Sequence, residues 1–152
     1  MRLTAAFLKM IRLPNLFFIA LSQCLFQFAI YHPLYGNGIP AKDGMHFIFL
    51  VLASLCIAAA GYIINDYFDI NIDEVNKPNR MVLDKVIHRR WAIAWHFMLN
   101  SAGLIFTLLA LPFLDKWYLV LANIICMALL WFYSTSFKRR LLIGNIVISV
   151  LT

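Results

Sequence analysis

The chain has 152 residues, of which 63% are hydrophobic and only 13% are charged, with a formal net charge of +6. A soluble globular domain is nearer half apolar and a quarter charged, so this composition points to a membrane protein. The basic excess does not suggest a nucleic-acid partner, because the cations fall in short patches between apolar runs and form no continuous polar face.

Four runs free of Asp, Glu, Lys and Arg are long enough to cross a bilayer: Leu13–Tyr31, His46–Ile64, Trp91–Leu111 and Trp117–Thr135. A spanning helix needs about 20 predominantly apolar residues. Backbone groups in hydrocarbon must bond within their own segment, so each run is expected to be helical. The fold class is therefore all-α, a polytopic bundle with four spans. The first run is too long and lacks the small-residue site of a cleavable signal, so it reads as a true span. After the fourth, Leu141–Thr152 reads as the start of a fifth helix.

Eleven of the thirteen basic residues lie before the first span, between the second and third, or after the fourth. With four spans these segments share one side, which the positive-inside rule makes cytoplasmic. Trp91, Trp117, Tyr118 and Tyr133 lie near span ends, where interfacial aromatics concentrate. Cys24, Cys56 and Cys126 sit inside spans without metal-binding or redox spacing. Gln23, Gln27, Asn100, Ser101 and Asn123 read as interhelical hydrogen-bonding groups, with a cavity role open for the two glutamines. His46 and His96 lie near span ends and receive no catalytic role.

The second run ends in GYIINDYFDINIDEVNKPNR, Gly61 to Arg80, which places Asp66, Asp69, Asp73 and Glu74, four of the seven acids, within nine residues. If the helix continues beyond Ile64, Asn65, Asp69 and Asp73 follow at i, i+4 and i+8, about 40° apart per step at about 100° per residue. Asp66 lies about 60° from Asp69 and about 20° from Asp73 on that count. One face then carries three carboxylates and an amide oxygen. All are hard donors, which favour magnesium or calcium over zinc or copper. The sequence lacks the glycine-punctuated calcium loop. Magnesium takes one or two carboxylates and leaves positions for substrate phosphates. Lys77 and Arg80 follow directly and suit a diphosphate. An ordinary solvated acidic loop is the plainer alternative.

Four segments carry a resemblance. NDYFDINID, Asn65 to Asp73, fits an N-D-x-x-D-x-x-x-D signature. RLPN, Arg12 to Asn15, NKPNR, Asn76 to Arg80, and YSTSFK, Tyr133 to Lys138, accompany it in order. Together they resemble the UbiA-type intramembrane prenyltransferases, with Met81 where proline is usual and Phe137 where leucine is usual. The resemblance implies the first half of a bundle of about nine helices, with a second aspartate motif beyond Thr152. It implies magnesium-dependent transfer of a polyprenyl group from a polyprenyl diphosphate to an apolar or amphipathic acceptor. That acceptor is a quinone-precursor ring, a porphyrin-type macrocycle or, by the overall likeness of Ile64–Arg80, a geranylgeranylglyceryl-phosphate-type lipid. Carried over by position, Asn65, Asp66, Asp69 and Asp73 serve the metal, with Asp66 assisting or orienting. Asn15, Lys77, Arg80, Ser134 and Lys138 serve the diphosphate, and Asp69, Asp73, Tyr133 and Lys138 the reaction.

Three other classes compete. A CDP-alcohol phosphotransferase needs D-x-x-D-G-x-x-A-R, but Ile70 stands where the glycine belongs. A truncated, non-catalytic membrane protein fits the chain if it acts alone. A transporter fits less well, since the acids gather at a span end and not at a midplane break. The default location is a prokaryotic inner membrane.

Overall fold

The computed structural model describes residues 2–35, 41–76, 83, 86–110, 117–136, 138, 145, 146 and 149. Lys77 and Arg80 lie outside these residues, as does most of the expected fifth helix.

The described residues are helical almost throughout. Helix α1 is Arg2–Met10 and α2 is Leu13–Leu25. A π-helical segment, Phe26–Tyr31, leads into α3, His32–Tyr35. Helix α4 runs Ala41–Phe68, α5 Ile70–Asn76, α6 Arg89–Ala110 and α7 Tyr118–Thr135. Four stretches are long and apolar enough to span a membrane: Leu13–Leu34, Gly44–Phe68, Arg89–Ala110 and Tyr118–Thr135. They coincide with the four apolar runs, and the all-α polytopic reading holds.

Helix α4 is the hub, packing against α2, α6 and α7 and touching α1 and α5. Its contact with α6 is close because α6 presents Gly103 there. A Cβ on Gly103 would meet Ile57 Cγ1 at 2.8 Å and the Ala53 carbonyl oxygen at 3.2 Å, so only glycine fits this crossing. Helices without a hydrophobic driving force between them use such small-residue contacts.

Polar side chains add bonds between spans. Gln23 Nε2 donates to Ser54 Oγ at 2.8 Å, joining α2 to α4. Asn123 Nδ2 donates to Thr107 Oγ1 at 2.7 Å, joining α7 to α6. Asn100 Nδ2 lies 3.0 Å from His96 Nε2, and His96 Nδ1 lies 2.9 Å from the Ala60 carbonyl oxygen. If the asparagine donates, the imidazole is neutral with its proton on Nδ1, bonded to α4. Gln23 and Asn123 thus act as interhelical groups, whereas Asn100 bonds within α6 to His96, which makes the bond to α4. His96 is buried in the α4–α6 contact beside Trp131, more enclosed than a span-end position suggests.

A second knot lies at the end where α4 runs out. Ala6 and Met10, i and i+4 on α1, are buried with Leu16, Ile63, Ile70, Ile87 and Ala92. Phe7 and Trp95 bring α1 onto α6, their ring centroids 4.6 Å apart. The start of the chain, the acidic stretch and the basic start of α6 are thereby gathered at one end of the bundle.

Candidate active site

The Gly44–Phe68 span has 25 residues. At 1.5 Å per residue it is about 38 Å long, against about 30 Å of hydrocarbon. Its last turns can therefore leave the apolar layer, and these are the turns that carry Asn65 and Asp66.

The helix is interrupted for one residue at Asp69 and resumes at Ile70. The break does not spoil the register. Asp69 N–H donates to the Asn65 carbonyl at 3.0 Å, and Asp73 N–H donates to the Asp69 carbonyl at 2.8 Å. Asn65, Asp69 and Asp73 keep their one-turn spacing through the corner. Buried Ile70 anchors the resumed helix α5.

Two cations from distant parts of the chain meet this stretch. Lys138, beyond the end of α7, donates from Nζ to Asn65 Oδ1 at 3.2 Å and forms an ion pair with Asp69 Oδ2. Asn65 Nδ2 donates to the same Asp69 oxygen at 3.1 Å, which orients the amide so that its oxygen faces the ammonium. The Asp69 side chain is only 13% exposed, so its charge needs such compensation. Next to this contact Arg12 donates to Asp66 Oδ1 at 2.9 Å. The guanidinium carbon lies 5.0 Å from the centre of the Tyr62 ring, one turn earlier on α4.

Arg12 occupies an unusual backbone position, with φ 54° and ψ 56° between α1 and α2. The left-handed region is costly for a non-glycine residue. Pro14 in the first turn of α2 starts the new helix without wasting a donor. The corner directs Arg12 back to Asp66 across 54 positions of sequence. Sequence reading used Arg12 as a topological charge and as part of the RLPN segment and missed this contact, for which no local signal exists.

The other candidates are placed less directly. Asp73 is half-buried and makes no side-chain hydrogen bond or ion pair among the described residues. Asn15 is exposed, and its backbone N–H donates to the Arg12 carbonyl at 2.8 Å. Tyr133 is half-buried near the end of α7. Ser134 is buried and donates its hydroxyl to Leu130 in its own helix at 2.9 Å, so it must rotate to meet a phosphate.

Among the described residues, no three His, Cys, Asp or Glu side chains converge as a metal cluster. The donor set nevertheless fits a magnesium ion that completes its shell from substrate. Asn65 Oδ1 and Asp69 Oδ2 already converge on one cation, the Lys138 ammonium. Both are hard oxygens, and magnesium uses few carboxylates together with phosphate and water. Asp66 is engaged by Arg12 in this geometry.

Comparison with known proteins agrees with these features. The UbiA prenyltransferase family model matches residues 24–152. Digeranylgeranylglyceryl phosphate synthase of Pyrococcus horikoshii is 34% identical over 116 residues, covering 76% of this chain and 39% of that protein. Its namesake in Hyperthermus butylicus is 32% identical over 142 residues, covering 93% of this chain and 45% of the relative. A solved structure, described as giving insights into the biosynthesis of digeranylgeranylglyceryl phosphate synthase in membranes, superposes with a TM-score of 0.79 at 26% identity. It covers 99% of this chain and 50% of its own. The chain thus spans about half the length of that structure, and less than half of these two relatives. The motifs around Asn65–Asp73, the four-span bundle and the matched length together place the chain in the UbiA prenyltransferase family.

Proposed function

We propose that this chain supplies the first diphosphate-binding half of a prenyltransferase active site. The reaction is transfer of a polyprenyl group from its diphosphate to a glycerophosphate-type lipid acceptor. The observation that carries this reading is the meeting of Lys138 with Asn65 and Asp69, which joins the ends of the second and fourth spans. The names of the relatives support the acceptor class.

In this reading the allylic C–O bond of the diphosphate breaks and its electron pair leaves with the diphosphate. The acceptor hydroxyl forms the new C–O bond and its proton passes to the released diphosphate. Lys138 shifts from Asp69 to the diphosphate oxygens, and Lys77 and Arg80 add charge from the following segment. A magnesium ion held by Asn65, Asp69 and Asp73 would neutralise charge on the leaving diphosphate. Asp66, fixed by Arg12, holds the end of α4 in register. Tyr133 offers an aromatic face to the allylic cation. The surrounding spans accommodate the prenyl chain and limit quenching by water. The acidic stretch faces the cytoplasm of a prokaryotic inner membrane. Cysteine placed at Asn76 should then react with an impermeant thiol reagent only after the membrane is opened.

The test is transfer by the complete native protein in vesicles with magnesium, geranylgeranyl diphosphate and a panel of acceptors. Prenylation of geranylgeranylglyceryl phosphate, and not of a hydroxybenzoate or porphyrin, is expected. Preference for an aromatic acceptor would overturn the acceptor class, and no transfer to any acceptor would overturn the reaction.

A further inference from the structure

Arg12 is the only non-glycine residue with a positive φ among the described residues. Such strain persists where the surrounding structure enforces it, and it gathers at functional sites. Buried Met10, Ile11 and Leu16 fix the corner on both sides of Arg12. The guanidinium is held twice, by Asp66 Oδ1 at 2.9 Å and over the Tyr62 ring at 5.0 Å. Tyr62 and Asp66 are one turn apart on α4, so both contacts fasten Arg12 to one face of that helix.

The charge of Asp66 gives this fastening a purpose. Asp66 lies three positions before Asp69, a separation that places side chains about 5–6 Å apart on a helix. The charges of Asp69 and Asp73 both act on it. Its side chain is only 26% exposed, so water and salt screen it incompletely. Lys138 is engaged by Asn65 and Asp69. Among the described residues Arg12 is the cation paired with Asp66. Without it, the stretch would present a further bare carboxylate to an incoming diphosphate, which is itself anionic.

We propose that Arg12 is a positioning residue for the diphosphate: it holds Asp66 in a neutral pair, so that the charge met by the substrate is set by Lys138 and the assigned metal. Arg12 acts through Asp66 and does not touch the substrate. This inference rests on the diphosphate reading above and deepens it, by giving Asp66 to Arg12 and not to the metal.

The experiment titrates geranylgeranyl thiolodiphosphate, an analogue that resists cleavage, into the complete protein in detergent. Magnesium is saturating, no acceptor is present, and the dissociation constant is read by calorimetry. Arg12→Gln should weaken binding about tenfold, the scale of one like charge about 10 Å away near a protein surface. That loss should shrink as salt rises beyond about 0.1 M, where the screening length is about 10 Å. Arg12→Gln combined with Asp66→Asn should bind as wild type does, since no bare carboxylate remains. A purely structural role, or direct contact of Arg12 with the diphosphate, would leave the double variant as weak as Arg12→Gln. Asp66→Asn alone should bind at least as tightly as wild type. Unchanged binding in Arg12→Gln, an unrescued double variant, or weaker binding in Asp66→Asn would each overturn the proposal and leave the diphosphate reading standing. Absence of binding by the wild-type protein would overturn both. Should Arg12→Gln fail to fold, judged by its helical circular dichroism, Asp66→Asn and the double variant decide the matter.

Discussion

Replacing Lys138 by Gln removes the ammonium that meets Asn65 Oδ1 at 3.2 Å and pairs with Asp69. Asp69 is 13% exposed and Lys138 36%, so the pair stands between a buried and a surface one. Loss of one partner costs about 3–5 kcal/mol when the pair is buried, and exposed pairs contribute about 0–1 kcal/mol. An intermediate cost of about 1–2 kcal/mol in stability is expected. The effect on transfer should be larger, because the same ammonium is assigned to the leaving diphosphate. Removing one such stabilising donor typically lowers turnover by about 10²–10³. The assay is kcat/KM of the complete protein with saturating magnesium, alongside its thermal midpoint. Lys138→Arg retains the charge and should recover part of the loss without restoring the wild-type rate. A Lys138→Gln protein with wild-type kcat/KM would refute the assignment. A loss fully accounted for by unfolding would leave Lys138 a structural role only.

Two further outcomes follow from the packing. Gly103→Val places methyl groups where even a Cβ would lie 2.8 Å from Ile57 Cγ1, and should cost about 1–3 kcal/mol, read as a lower unfolding midpoint in detergent. An unchanged midpoint would mean that α4 and α6 do not cross this closely. Arg12→Gln and Asp66→Asn should show a coupling of about 1 kcal/mol or less in a double-mutant cycle, since the arginine is 43% exposed. Strict additivity would dissolve the pair.

The spans were legible because bilayer hydrocarbon allows few solutions: an apolar run of sufficient length must satisfy its backbone as a helix. Their ends were less so. The second run ends before Asn65 as an uncharged stretch, yet the helix continues to Phe68 because residues there still bond one turn back. The one-residue break at Asp69 left no mark in the sequence, and neither did the π-helical turn at Phe26–Tyr31. Helix α1 was legible in principle, since Ala6 and Met10 recur at helical spacing, but its two cations and Arg12 after it drew attention to topology instead. At the site, Asn65, Asp69 and Asp73 were readable from their four-residue spacing. Lys138 entered only through the resemblance, and its contact with Asp69 spans 69 positions. Arg12 and His96 were missed for the same physical reason. Their partners, Asp66 and the Ala60 carbonyl, are distant in sequence and become neighbours only when the helices pack.

The most direct test of the account is Asp69→Asn in the complete protein. This variant keeps the shape of the side chain and a possible bond to Asn65 while removing the charge that faces Lys138 and the assigned metal. Prenyl transfer with magnesium should fall at least about 100-fold while the protein remains folded in the membrane. Turnover equal to wild type under the same conditions would contradict a diphosphate site at the end of the second span.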